Sequence, residues 1–567
     1  MDAHTPPQTV ADLLAALEAA ELPATKRRDM VSAVNRIAEI FVLPPARISV
    51  DLPELRKKPK AVHPAAHRIS RKTLGNVRAL LSSALVLAGC AEPLGRARAK
   101  RDANWAGLVT AIEHDKRMAH GLAAFLNWCS GRGIAPDGVT DMVVQGFYEW
   151  LETRTLHPRP RDVARLVPKI WNEAKDIVDG WPQQKLARIS FRTPSQNLAW
   201  DHLDASFRAE ADAYLAMRLE PDVFEEDLNY PKRPLAASTV DRQREHIRLA
   251  ASVLVRNGAQ VVDGLRSLAQ LVEREAFKAV LRHYRGKAGG KPNAFAVAIA
   301  KTLIDVARYQ VKVGGDEVKA LKALAAKLPA VLLDLTDKNK DLLGRLEADS
   351  TRARLVFLPE ELQRKAAAGL KRGKLDFVAA QVAVAVDILL VAPLRPQNLI
   401  GLNWNRHFRE GVGGGLTLFI PKVETKSGKR DLAFDLPAEV AGRINWYRRE
   451  VLPRLGASPD GDLFVTRDGT PKHQETLTTQ IIRTIRDHVG LHMTPHQFRH
   501  FAAKVYLEEH PQDFQTVTDL LGHGWTKTTR IYAGVSSRRA SRAYGKMLDE
   551  QRKALQQKRP IRRQGRS

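Results

Sequence analysis

Residues 494–503 read TPHQFRHFAA, and residues 519–534 read DLLGHGWTKTTRIYAG. In the first stretch His496 and Arg499 stand three apart, a spacing that puts both on one face of a helix. In the second, Leu520, Leu521 and Gly522 spell a helix stop, and His523 follows it. Tyr532 comes nine residues after His523, beyond Thr528, Thr529 and Arg530. Taken singly, each residue has a plain structural reading. Two polar residues three apart form a solvated stripe, and a lone tyrosine packs its ring and leaves its hydroxyl to water.

Moving toward the N-terminus, Arg395 interrupts VAPLRPQNLIGLNW (391–404) between two apolar runs. A guanidinium between core segments needs an anion, which can be a structural carboxylate or a bound phosphate. Both readings stay open at this point. Farther on, LTLFI (416–420) and LAFDL (432–436) flank VETKSGKRD (423–431). Ser427, Gly428 and Lys429 supply turn chemistry, so the spacing predicts a β-hairpin carrying Lys422, Lys426 and Lys429.

In order, these pieces are Arg, a hairpin Lys, His-x-x-Arg, Leu-Gly-His and Tyr. The set resembles the tyrosine recombinase (phage integrase) family over about residues 350–545. The resemblance puts Arg395 at the first catalytic arginine and Lys426 at the hairpin lysine, with Lys429 as runner-up. His496 and Arg499 fill His-x-x-Arg, with His500 as the second histidine common there. His523 fills Leu-Gly-His, and Tyr532 stands at the nucleophile position. Tyr506 and Tyr544 are rivals for that position: Tyr506 falls in an apolar helix, and Tyr544 lies too far beyond His523. The family often carries an acidic residue three positions after the first arginine. Asn398 stands there instead, which leaves the group orienting Arg395 open.

The resemblance implies a reaction. Tyr532 attacks phosphorus and forms a covalent 3′-phosphotyrosine. Arg395, Arg499 and His523 stabilise charge on the nonbridging oxygens without needing a metal or other cofactor. Lys426 protonates the leaving 5′-oxygen, and His496 assists proton transfer at the nucleophile. The covalent bond conserves the phosphodiester energy, in keeping with a chain that lacks the G-x-x-x-x-G-K-[ST] phosphate loop.

Composition points to the same partner. The 567 residues include 90 Lys or Arg against 63 Asp or Glu, a net charge of +27. Residues 341–567 carry 38 basic and 24 acidic residues, and 1–340 carry 52 and 39, so the excess is +14 and +13. Two basic parts suit a protein that grips a phosphate backbone from two sides, while a surface tuned for solubility is the bland alternative. Two cysteines, Cys90 and Cys129, exclude a disulfide framework and a four-cysteine zinc site, which suits the cytoplasm. The most apolar stretch, 375–394, contains Asp376, Gln381 and Asp387 and reads as a buried core helix, with no membrane association expected.

The expected fold is mainly α: helical N-terminal domains plus a mixed α+β catalytic domain with a β-hairpin or small three-stranded sheet. Residues 1–100 form a helical extension and 101–230 a second helical region, SAM-like as one reading. Residues 231–345 form a helical core-binding domain, since STVDRQREHIRLAASVL (238–254) resembles the family's first DNA-contacting helix. Residues 346–548 form the catalytic domain and 549–567 a disordered basic tail. Helix–break–helix outlines recur at 24–56, 124–154 and 238–272. Residues 158–168 resist helix, 285–292 read as a flexible basic loop, and 337–352 as a charged boundary segment.

The family resemblance further implies a site-specific recombinase or integrase, of a mobile element given the long N-terminal part. It implies a homotetramer on two double-stranded DNA duplexes, with accessory DNA-bending proteins as further partners. A type IB topoisomerase-like enzyme and a non-catalytic DNA-binding relative are the competing readings.

Overall fold

The computed structural model describes residues 6–553 apart from 62–63, 68, 94, 96–97, 192–196, 228, 259–263, 331–333, 412–414, 427, 429, 523–528, 530, 533–544 and 546. It divides into two units, Phe191–Leu333 and a larger one made of Met1–Ser190 with Asp334–Ser567. The described chain is mainly helical, with one three-stranded antiparallel sheet.

The C-terminal part is organised by the helix Phe377–Val391. Asp376 caps it by accepting from the Ala379 N–H at 3.1 Å. Every residue from Ala379 to Leu389 is buried, because helices Leu358–Lys371, Ala438–Trp446 and Gln474–Val489 pack around it. Its polar residues have partners: Asp387 pairs with Arg443 at 2.5 Å, and Gln381 donates to the Val465 carbonyl at 2.8 Å. Among the described residues no helix is long and apolar enough to cross a membrane. The helix ends just before Pro393. The chain then turns, and Arg395 becomes the N-cap residue of the short helix Pro396–Ile400.

The sheet follows as β1 (Phe408–Glu410), β2 (Leu416–Ile420) and β3 (Leu432–Leu436). Strands β2 and β3 pair from Leu416 opposite Leu436 to Ile420 opposite Leu432, and β1 extends the sheet on the other side of β2. Leu416, Leu418 and Ile420 are all buried, the period-two pattern of a sheet with one face on the core. Residues 421–431 are more than a tight hairpin turn, since Lys422–Glu424 forms a 3₁₀ turn within them.

Residues 1–190 hold two helical cores. One joins Val10–Ala19, Ala24–Phe41 and Arg71–Leu87. The other joins Lys116–Gly131, Asp141–Thr153 and Pro160–Ile177 around Trp105, Phe125, Phe147 and Trp171. The Phe191–Leu333 unit has one core, built from Ala205–Leu219, Ala237–Arg256, Arg274–Lys287, Ala294–Tyr309 and Gly315–Ala325. It thus takes in a helix that lies before residue 231.

Several local expectations are corrected. Residues 158–168 were expected to resist helix, but Pro160 begins the helix Pro160–Ile177, where its missing N–H costs nothing. Pro168 lies inside that helix, which a strongly amphipathic buried face holds together. The charged stretch 337–352 forms the helix Asp337–Arg345 and the start of Asp349–Val356, with Leu342, Leu343 and Leu355 buried. Arg285 to Lys287 close a helix rather than belonging to a loop. Residues 549–553 are helical, and the remainder of the expected basic tail lies outside the described residues.

Candidate active site

Three neighbouring segments carry the candidate residues. The first is the turn after the buried Phe377–Val391 helix, which presents Arg395 half-buried. Arg395 makes no hydrogen bond or ion pair with any described residue, and burial alone lowers its pKa. No carboxylate among the described residues reaches it, so of the two anions open from sequence the structural one is missing. Asn398 plays a different part from orienting Arg395. Its side-chain amide donates to the Glu424 carbonyl at 3.0 Å and ties this turn to the β2–β3 connection.

That connection is the second segment. Glu424 ion-pairs with Arg406 at 2.6 Å and accepts from His407 at 2.9 Å, and the Lys422 N–H donates to Asp431 at 2.6 Å. Thr425 closes the loop by donating to the Lys422 carbonyl at 2.9 Å. Gly428 sits at φ +62°, so the turn takes a left-handed residue where only glycine is unstrained. Lys426 stands exposed in this turn, next to the anchored Thr425. Arg430 secures the other side by bonding Asp519 and the Thr518 carbonyl, the latter at 2.9 Å.

The third segment is the 3₁₀ turn Pro495–Gln497 leading into the helix Phe498–Glu509. Thr494 and Gln497 form a reciprocal capping box. His496 therefore lies in the turn and is exposed, whereas Arg499, one helical turn on, is 4% exposed. Arg499 donates to the Pro393 carbonyl at 2.8 Å and to the Leu521 carbonyl. It touches no carboxylate among the described residues. Burial, then the nearby Arg395, lowers its pKa to about 10. His496 is likewise held below the usual imidazole range, by partial burial of the ring and then by Arg499, Arg395 and Lys426.

Tyr532 is 2% exposed, and its hydroxyl lies 2.7 Å from His500 Nδ1. Burial pushes its pKa up to about 12, and Arg499 pulls the other way. Arg395, Lys426, His496, Arg499 and Tyr532 thus lie within electrostatic reach of one another through His496 and Arg499. Gly522, at φ +57°, precedes this strip, and a side chain there would meet Leu432 at 3.0 Å. His523, Lys429 and Tyr544 lie outside the described residues. The rival Tyr506 is occupied: its hydroxyl donates to Asp513 at 2.8 Å.

Sequence reasoning missed the polar chain behind Tyr532. Gln497 Nε2 donates to Asn339 Oδ1 at 2.9 Å, and Asn339 Nδ2 is 3.0 Å from His500 Nε2. The capping box was readable as Thr494-Pro-His-Gln497. Asn339 carried no signal, since its stretch reads as charged linker.

The chain is similar to several known proteins. Residues 371–539 match the Phage integrase family. The tyrosine recombinase XerC of Pseudomonas entomophila (strain L48) is 30% identical over 189 residues, 33% of this chain and 60% of that protein. XerC of Methylobacterium sp. (strain 4-46) is 32% identical over 171 residues, 30% of this chain and 50% of that protein. The chain thus spans between half and three-fifths of the length of these two curated relatives. Among solved structures, a pre-cleavage complex of the XerH site-specific recombinase bound to difH substrate is 17% identical. It covers 58% of this chain and 94% of that one, with a TM-score of 0.36. Residues 371–539 thus resemble the phage integrase family, and these curated relatives are tyrosine recombinases.

Proposed function

We propose that the protein cleaves and rejoins DNA strands at specific sites through a covalent 3′-phosphotyrosyl intermediate on Tyr532. The observation that carries this reading is the pair of guanidiniums, Arg395 and Arg499, gathered near Tyr532 with no carboxylate among the described residues to neutralise them. Two uncompensated cations in a half-buried site favour an external anion, and a scissile phosphate fits their forked donors.

In this reading Tyr532 Oη forms the new bond to phosphorus, and the bond from phosphorus to the 5′-oxygen breaks. The phenol proton passes to His496, whose depressed pKa keeps it neutral and able to accept. Lys426, exposed on its anchored turn, gives a proton to the departing 5′-oxygen. Arg395 and Arg499 hold the nonbridging oxygens as charge builds, and His523 joins them by family resemblance. Reversal with a new 5′-hydroxyl rejoins the strand. The same resemblance carries a homotetramer on two duplexes, accessory DNA-bending proteins and a mobile-element origin. Residues 1–333 supply further basic surface for the DNA grip.

A nicked suicide substrate bearing the native site tests the reading. A covalent protein–DNA band is expected, lost in Tyr532→Phe and unaffected by EDTA. An adduct that persists in Tyr532→Phe removes Tyr532 as nucleophile. Unrestricted plasmid relaxation without site preference makes the enzyme topoisomerase-like. Lys426→Ala is expected to slow cleavage by about 10²-fold or more, the usual scale of general acid catalysis. Replacing the bridging 5′-oxygen with sulfur, a leaving group that needs no proton, should restore the rate.

A further inference from the structure

Behind Tyr532 runs a chain of side-chain hydrogen bonds whose direction is set at one end. The Thr494 backbone N–H can only donate, and it reaches Gln497 Oε1 at 2.8 Å. That contact orients the Gln497 amide, so its Nε2 must be the atom donating to Asn339 Oδ1 at 2.9 Å. Asn339 is oriented in turn, and its Nδ2 donates to His500 Nε2 at 3.0 Å. A ring nitrogen that accepts carries no proton, so in neutral His500 the proton sits on Nδ1. Nδ1 faces Tyr532 Oη at 2.7 Å.

We infer that His500 is a fixed hydrogen-bond donor to the Tyr532 oxygen, with Gln497 and Asn339 as positioning residues that set its tautomer. The inference rests on Tyr532 being the nucleophile. It divides labour between two neighbouring histidines, whose ring centres are 5.6 Å apart. His496 is exposed and free to exchange a proton. His500 is 8% exposed and committed on both nitrogens. Its N–H stabilises negative charge on Oη as the phenol ionises, and it cannot serve as the base that receives the phenol proton. The Asn339 amide also leaves no acceptor for a second ring proton. Burial acts in the same direction and lowers the His500 pKa to about 4. Gln497 is buried and Asn339 half-buried, so water reaches the chain mainly at Asn339.

Two measurements on the full-length protein test this. Long-range nitrogen–proton spectra of histidine-labelled protein report the tautomer, with the His500 signals identified by their loss in His500→Asn. The expected pattern has Nδ1 protonated and Nε2 bare near neutral pH. Asn339→Asp places an acceptor opposite Nε2 and is expected to invert it. A bare Nδ1 in the unmodified protein overturns the inference and needs no variant to read. So does a pattern that Asn339→Asp leaves unchanged.

The second measurement is the rate of adduct formation on the suicide substrate. His500→Asn keeps an N–H near the place of Nδ1–H but cannot titrate, whereas His500→Leu removes the donor. The donor role predicts His500→Asn within about tenfold of the parent and His500→Leu slower by about 100-fold, at unchanged DNA affinity. Equal loss in both variants shows that His500 works as a base and overturns the proposal. Were Tyr532 not the nucleophile, Tyr532→Phe would retain the adduct while the tautomer pattern stayed as inferred. The two failures are thereby told apart.

Discussion

Buried cations in this protein are compensated in different ways. Arg56, in the N-terminal part, ion-pairs with Glu152 at 3.1 Å and donates to the carbonyls of Leu151, Glu152 and Thr155 at 2.7–3.2 Å. In the C-terminal domain Arg443 pairs with Asp387, and Lys504 sits between Glu347 and Glu508 at 3.1 and 2.9 Å. Arg499 is as buried as these, yet it is held by two carbonyls and faces Arg395 rather than a carboxylate. Taking a charge from water is costly, and a carboxylate offsets that cost within the fold. Where the carboxylate is left out, neutral oxygens can stand in, as the Gln381 and Gln480 amides do for Lys472, or an external anion can supply the charge. Burial of an arginine is therefore uninformative until its partner is known.

Substitution at Arg499 and at Arg56 should break this contrast in opposite directions. The largest effect is expected for Arg499→Gln: adduct formation slower by 10²–10³-fold, about 3–4 kcal/mol of transition-state stabilisation. The melting temperature of that variant should change little, because repulsion from Arg395 goes with the charge. A variant that unfolds while cleaving normally when folded would place Arg499 with the structural cations.

Arg56→Gln should do the reverse. It removes one partner of a buried pair and is expected to cost about 3 kcal/mol of stability in denaturant titration. The cleavage rate per folded molecule should hold. A selective loss of cleavage would erase the distinction.

Acid should expose the third member of the comparison, the buried neutral His500. Its folded pKa is about 4, below the ordinary value of 6.5, so the unfolded chain binds the proton more readily. The associated stability is full above pH 6.5 and is lost as pH falls toward 4. The linkage amounts to about 3 kcal/mol. Unfolding free energies across that window should show the slope, and His500→Asn should remove its share of it.

The smallest expected effect comes from inorganic phosphate or sulfate. At ten times its dissociation constant, an anion held by Arg395 and Arg499 stabilises the fold by about 1.4 kcal/mol. The resulting rise in melting temperature should vanish in Arg395→Gln combined with Arg499→Gln. An equal rise in that double variant would show that the anion binds elsewhere.

Much of this was legible along the chain. Alternation in LTLFI and LAFDL marked the paired strands β2 and β3, and the apolar run 377–391 marked the central buried helix. These signals are local, since side-chain period follows directly from backbone geometry. Pro160 and Pro168 misled, because a proline is read as a breaker unless its helical position is known. The 337–345 stretch misled too: its charges hid Leu342 and Leu343, which become core only when elements such as the Phe498–Glu509 helix are nearby.

By itself the sequence determined which chemical groups the C-terminal domain carries and in what order: two arginines, a hairpin lysine, the histidines and Tyr532. Residue type and spacing are properties of a line, and a family motif is legible in them. Only the tertiary structure decided which cations lack a carboxylate, and that Asn339 stands 161 residues from the histidine whose proton it places. Hydrogen-bond direction and charge compensation depend on what lies across the fold, and separation along the chain holds no information about that.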